Sequence, residues 1–211
     1  MTQSLPTAVP ARTEPVSTLT GETEPRPLPR VAEIPGFVEY MGSGWGTPDR
    51  TAPVAPGTAS ATAAHRARLA AEFPGRWIVV PAGRAPVRSN DTAYDFRPGS
   101  DFVWLTGCPV QDAVLILGPA EATVYVPPPA YPGERDFFAS AATGELWVGA
   151  APGLSDWAEA LGLTVRPLSE LADAVARLSD PLRPGVPEFD RAVAELRMIK
   201  TSGRSASCGR R

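Results

Sequence analysis

Arg88-Ser89-Asn90-Asp91-Thr92-Ala93-Tyr94-Asp95-Phe96-Arg97-Pro98-Gly99-Ser100-Asp101-Phe102-Val103-Trp104-Leu105-Thr106-Gly107 is the stretch around which the chain is read. Its first half is a polar loop leading into Tyr94 and Phe96. Pro98 bars Arg97 from the helical region and Gly99 supplies turn freedom, so residues 97–100 read as a turn. Residues 102–105 are apolar, β-prone and without alternation. That pattern predicts a strand buried on both faces and closed by Thr106-Gly107. Arg88, Asp91, Arg97 and Asp101 crowd charge into this loop. One reading ties the loop down by ion pairs, with Asp91, Asp95 and Asp101 pairing to Arg88 and Arg97. The other makes it a site; structural charge networks are the commoner of the two.

On either side of this stretch the pattern alternates between helix and strand. Residues 61–73 are rich in alanine, arginine and leucine, with Leu69 and Phe73 one turn apart, and predict an amphipathic helix ended by Pro74-Gly75. Residues 76–80, 112–117 and 122–126 predict strands, the last two joined by a hairpin turn over Gly118 to Glu121. Pro127-Pro128-Pro129 ends the sheet. Residues 134–140 predict a helical turn carrying Phe137 and Phe138. Ser155 reads as the N-cap of a helix through Leu161 that Gly162 stops. Residues 163–166 read as a short strand. Ser169 reads as the cap of a helix whose buried face is Leu171, Ala174, Val175 and Leu178. After a linker over 181–187, a last helix opens at Pro187 or Glu188 with Phe189, Val193 and Leu196 on one side. The expected class is α/β: a mixed β-sheet with helices on its faces.

Composition bounds the rest. The 211 residues, 43% hydrophobic, suffice for one domain with extras. A net charge of −3 gives no basic stripe for nucleic acid. No apolar run is long enough for a membrane span, and the first 30 residues lack an apolar secretory core. Cys108 and Cys208 lie far apart, which points away from a disulfide framework and towards a reducing cytoplasm. Ten prolines and six glycines fall in residues 1–59, so that segment is expected to be a disordered arm. Within it, residues 37–46 gather Phe37, Tyr40, Met41 and Trp45. They read as a patch that docks on a partner subunit or on the rest of a larger enzyme, or as a local collapse without a partner.

The loop and its flanks also carry a resemblance. Arg88-Ser89, Asp91, Tyr94 to Arg97, Ser100 to Phe102 and Leu105 to Gly107 are similar, in order and spacing, to the amino-terminal domain of the Xaa-Pro aminopeptidase (aminopeptidase P) family. The likeness runs from about Ala64 to Lys200. It implies a creatinase/aminopeptidase P amino-terminal domain over 60–185 and the start of an interdomain helix, followed by an aberrant tail, over 186–211. In the whole enzyme it implies release of an N-terminal residue that precedes proline, by a carboxy-terminal pita-bread domain holding two manganese ions. The amino-terminal domain would pack over the mouth of that site and contribute to homo-oligomer contacts. Arg88, Asp91, Tyr94, Phe96, Arg97, Asp101, Phe102 and Trp104 would form the substrate-access or interdomain contact. Glu145-Leu146-Trp147-Val148-Gly149 also matches, but Ala150 and Ala151 stand where relatives carry arginine, and Val103 where some carry an aromatic.

The chemistry of that reaction is not expected in this chain. Two hard cations need carboxylate bridges and histidines, and the sequence has one histidine, His65. With no ligand spacing around it, His65 reads as solvent-facing or structural. Cys108 has no second ligand nearby, and neither a nucleophile elbow nor a phosphate loop is present. No catalytic or metal-binding residue and no bound cofactor are therefore expected. Apolar periodicity stops at Lys200. One choice of synonymous codons, with one nucleotide added after the Lys200 codon, encodes an amphipathic helical continuation, which is consistent with a chain truncated or frame-shifted there. An alternative is a stand-alone peptide-binding or dimerisation module. If the cover of the last helix is missing, its Leu196 side becomes the exposed face.

Overall fold

The computed structural model describes residues 30–90 and 92–199. A 3-10 turn, Val31–Glu33, and helix α1, Phe37–Gly42, precede helix α2, Thr58–Glu72. Strands β1, Ile78–Pro81, β2, Val87–Ser89, and β3, Thr92–Ala93, lead to helix α3, Ser100–Thr106. Strands β4, Val114–Leu117, and β5, Ala122–Val126, come next, then the short helices α4, Asp136–Ala139, and α5, Glu145–Val148. Helix α6, Leu154–Leu161, strand β6, Thr164–Pro167, a 3-10 turn at Leu168–Glu170, and helices α7, Leu171–Ala176, and α8, Pro187–Met198, complete the order.

Four strands form one sheet in the order β1-β4-β5-β6. The first two pairings are antiparallel and β5–β6 is parallel, so the sheet is mixed as expected. The β4–β5 turn closes with Gly118 N–H on the Glu121 carbonyl at 2.8 Å. Alternation along the strands sorts the residues onto two faces. Ile78, Val80, Leu115, Leu117, Val124 and Val126 point into the main core with Leu69, Phe102, Leu105, Trp157, Leu161, Phe189 and Val193. Val79, Ile116 and Tyr125 point the other way, onto Leu168, Leu171, Ala174, Val175 and Leu178. Helices therefore cover both faces, and the spacing of three and four read in residues 171–178 marks the side that meets the sheet.

Residues 102–105 are a helix, not the strand their β-prone side chains predict. The punctuation outweighs the composition. Gly99 and Ser100 open the helix, Asp101 lies in its first turn where a carboxylate suits the N-terminal dipole, and Gly107 stops it in the left-handed region at φ 71°. Phe102 and Leu105 are fully buried one turn apart, while Val103 faces outward at 38% exposure. β-propensity reports a fit to a pleated surface, and here the surface met is the underside of α2. Two smaller corrections concern caps. Gly153, not Ser155, caps α6, its N–H donating to Asp156 Oδ2 at 2.8 Å. Ser169 lies in the 3-10 turn before α7.

The linker read over 181–187 is stitched to the sheet. Leu182 is 2% exposed; its N–H donates to the Trp77 carbonyl and its carbonyl accepts from Val79 N–H, both at 2.8 Å. Helix α8 packs on α2 and buries Leu196, which corrects its expected place on an uncovered face; Met198 and Ile199 are the exposed apolar residues there. In the segment read as a proline-rich arm, residues 30–59 carry the first 3-10 turn and α1 and pack on residues 131–145. The expected disorder of residues 1–29 and the tail after Lys200 lie outside the described residues.

Gly107 is required twice over, by its positive φ and by space. A Cβ there would stand 2.2 Å from Thr58 Cγ2 at the start of α2. Gly107→Ala should cost about 1–3 kcal/mol. The measurement is a urea titration: the midpoint should fall with the slope unchanged, and an unshifted midpoint would mean that the α2–α3 junction yields.

Candidate functional site

Helix α3 is held at its C-terminal end by α2. The last carbonyls of a helix have no partner within it. Here Val103 O accepts from Gly107 N–H at 2.8 Å. Trp104 O lies 2.8 Å from His65 Nδ1, and Leu105 O accepts from Arg66 Nη1 at 2.8 Å. A carbonyl only accepts, so His65 Nδ1 carries the proton. The His65 ring also stacks on Trp104, centroids 4.5 Å apart and planes 13° apart. Arg66 is buried, and burial pushes its guanidinium down to about 10. It remains a cation at neutral pH, set among Thr62 Oγ1 and the Leu105 carbonyl. His65, read as solvent-facing or structural, is thus structural.

The residues that the sequence grouped as one contact separate into three settings. Arg88 and Tyr94 sit on or beside the exposed β2–β3 hairpin, which turns through Asn90 at φ 46°. Phe102 lies at the centre of the core, and Phe96 packs against that core while partly exposed. Arg97 and Trp104 line a cavity of about 580 Å³ between residues 53–58, α2 and α3. Asp91 lies outside the described residues.

The expected charge pairing is corrected for Asp101. Its carboxylate binds Arg197 of α8, 96 positions away in sequence, and Arg97 makes no hydrogen bond or ion pair among the described residues. Nothing in the local sequence selects Arg197 over the nearer Arg97. The choice follows from α8 returning over α2.

A second polar centre went unread in the sequence. Arg50 clasps Glu145 with two parallel bonds, Nε to Oε1 at 2.7 Å and Nη2 to Oε2 at 2.8 Å. Ala151 N–H adds a third bond to Oε1 at 3.2 Å, and the guanidinium lies 4.5 Å from the Tyr131 ring centre. The Arg50 hydrogen bond, with smaller help from Ala151, holds the Glu145 carboxyl below the usual carboxylate range despite its burial. Beside this pair, Phe37 meets Phe138 and Trp45 meets Phe137 edge-on, each at 5.2 Å. Part of the aromatic patch read as a docking surface therefore packs within its own chain, while Tyr40 and Trp45 stay exposed at 73% and 51%. Gly42 runs so close to Gly133 that a Cβ would fall 2.5 Å from its nitrogen.

Among the described residues no three histidine, cysteine, aspartate or glutamate side chains gather as a metal site. Cys108 is buried, and burial pushes its thiol up to about 11. No described helix is long and apolar enough to cross a membrane.

Residues 62–183 match the family described as aminopeptidase P, N-terminal domain. The chain belongs to the aminopeptidase P family. Among curated relatives, Xaa-Pro aminopeptidase 1 of Streptomyces coelicolor is 37% identical over 153 residues, covering 70% of this chain and 30% of that protein. Xaa-Pro aminopeptidase 2 of the same organism is 34% identical over 145 residues, covering 66% of this chain and 31% of its own length. The chain thus spans just under a third of these relatives. Among solved structures, the Pseudomonas aeruginosa aminopeptidase PepP superposes with a TM-score of 0.50 at 24% identity, covering 69% of this chain and 34% of that one, a likeness of fold. The matched region holds α3 and its caps, the sheet and α6. The Arg50–Glu145 clasp and the edge-on aromatic pairs join that region to residues 37–50, which precede the match.

If Arg50 fastens residues 37–50 to the domain, Arg50→Ala should leave the 62–198 core folded and speed proteolytic cutting near Trp45. Glu145 has a depressed folded pKa, so its contribution is present above the ordinary glutamate range and lost as pH falls through the folded value. Wild type should therefore gain the same sensitivity on acidification below the ordinary glutamate range, while Arg50→Ala should show little further change. Limited proteolysis across pH checks both; identical digestion of the two proteins at neutral pH would count against the clasp.

Proposed function

We propose that this chain is the non-catalytic amino-terminal domain of a metal-dependent Xaa-Pro aminopeptidase and is inactive alone. The observation that carries the reading is the commitment of its single histidine. His65 is buried against Trp104 and bonded to a helix carbonyl. The described residues do not fit a two-metal site. The two metal ions, manganese by family resemblance, belong to a catalytic domain beyond this region. That domain is the natural partner, and release of a residue preceding proline is the activity of the whole.

In this reading the domain covers the mouth of the catalytic site, the enzyme is a homo-oligomer, and it works in the cytoplasm. The exposed Arg88 and Tyr94, with Arg97 and Trp104 at the cavity wall, supply the substrate-access or interdomain contact. Phe96, Asp101 and Phe102 support it from beneath. Asp91 completes the set by sequence. The loss of helical periodicity after Lys200 supports a shifted reading frame there. Nucleotide sequencing across that codon tests it directly, since an uninterrupted frame with no peptidase-like continuation in any register would remove that part of the proposal.

The activity test is simple. Purified chain, supplied with manganese and a peptide with proline in second place, should release no amino acid. Turnover that co-purifies with the chain and disappears with a chelator would overturn the assignment.

A further inference from the structure

The cavity beside α3, whose wall includes Arg97 and Trp104 of the proposed contact, has a composition that contact alone does not explain. Its volume, about 580 Å³, is within the range of small-molecule sites. Pro53, Val54 and Pro56 form one wall, and Val103, Trp104 and Pro109 another. Arg97 and Arg197 line it, while no aspartate or glutamate is among the described residues that do.

The two guanidiniums are unequally engaged. Arg97 is exposed and makes no ion pair or hydrogen bond among the described residues. Arg197 gives Nη1 to Asp101, and its side chain stays 29% exposed. Its Nε is shut off from solvent, so only the outer edge of this guanidinium is open to the cavity. Guanidinium groups suit planar oxyanions, which take two parallel bonds. Beside them the half-exposed Val103 and the proline-lined wall offer apolar surface, and Thr58, Thr62, His65 and Ser100 add polar groups to the lining.

We propose that this cavity is a binding site for a small amphiphilic oxyanion: a carboxylate held by Arg97 and Arg197, on an apolar body that lies against Val54, Val103 and Trp104. A free metabolite acid and the carboxylate end of a short peptide share this chemistry. The site goes beyond the proposed peptidase role and does not rest on it, because binding is read on this chain without metal or turnover.

The test uses the full chain, labelled with 15N, titrated with benzoate, benzamide and inorganic phosphate. Benzoate should saturate in the millimolar range and shift amides at residues 54–58 and 97–104. Benzamide, of the same shape but neutral, should bind at least tenfold more weakly, and phosphate, charged but without an apolar body, likewise. Arg97→Gln, on the surface, should keep the thermal midpoint and lose tenfold or more in benzoate affinity. Val103→Glu should do the same by placing a like charge at the mouth. Equal binding of benzoate and benzamide, equal binding of phosphate, unchanged affinity in Arg97→Gln, or no saturable shift would each overturn the proposal. A short peptide acid and its amide, compared in the same way, distinguish the peptide source from a free acid.

Discussion

The exposed end of a short helix has to be satisfied, and in this domain α2 does it for α3. Two adjacent α2 side chains, His65 and Arg66, reach two adjacent carbonyls, those of Trp104 and Leu105. The seven residues of α3 are too few to be stable by propensity. Its place depends on this cap, on Gly107 turning left-handed beneath Thr58, and on Phe102 and Leu105 buried against the sheet. The same contacts put Trp104 at the edge of the cavity and turn Val103 outward. Arg66, with no carboxylate partner among the described residues, is tolerable inside because it sits on the negative end of the helix.

A second constraint acts on the segment that precedes α2. The Arg50–Glu145 clasp brings residues preceding the family match onto α5, and the edge-on aromatic pairs continue that contact. A segment this rich in proline and glycine has little core of its own. It takes its apolar partners from the domain instead, with Phe137 the most deeply buried of them. Specificity comes from the planar, two-bonded geometry, which lysine at position 50 would not reproduce.

The family match covers residues 62–183, and no three metal-ligating side chains gather among the described residues. The single histidine illustrates why. By type it is a candidate metal ligand, but the fold places it on a helix end where its ring nitrogen and its face are both occupied. The loop of charged residues behaves similarly. Asp101 finds Arg197 rather than its neighbours in sequence, which leaves Arg97 to face the cavity without a counter-charge among the described residues.

The sequence by itself determined the alternation of helix and strand, the hairpin over residues 118–121, the face that α7 turns to the sheet, and the buried side of α8. These are local signals: periodicity, turn residues and proline breaks, each decided within a few positions. It also carried the order of residues that marks the family. Only the tertiary structure decided that residues 100–106 coil, that Leu182 bonds to β1, that Arg50 meets Glu145, and that Asp101 pairs across 96 positions. Each of these depends on a partner distant in the chain, and a β-prone tetrapeptide or a cluster of alternating charges reads the same until the fold brings that partner to it.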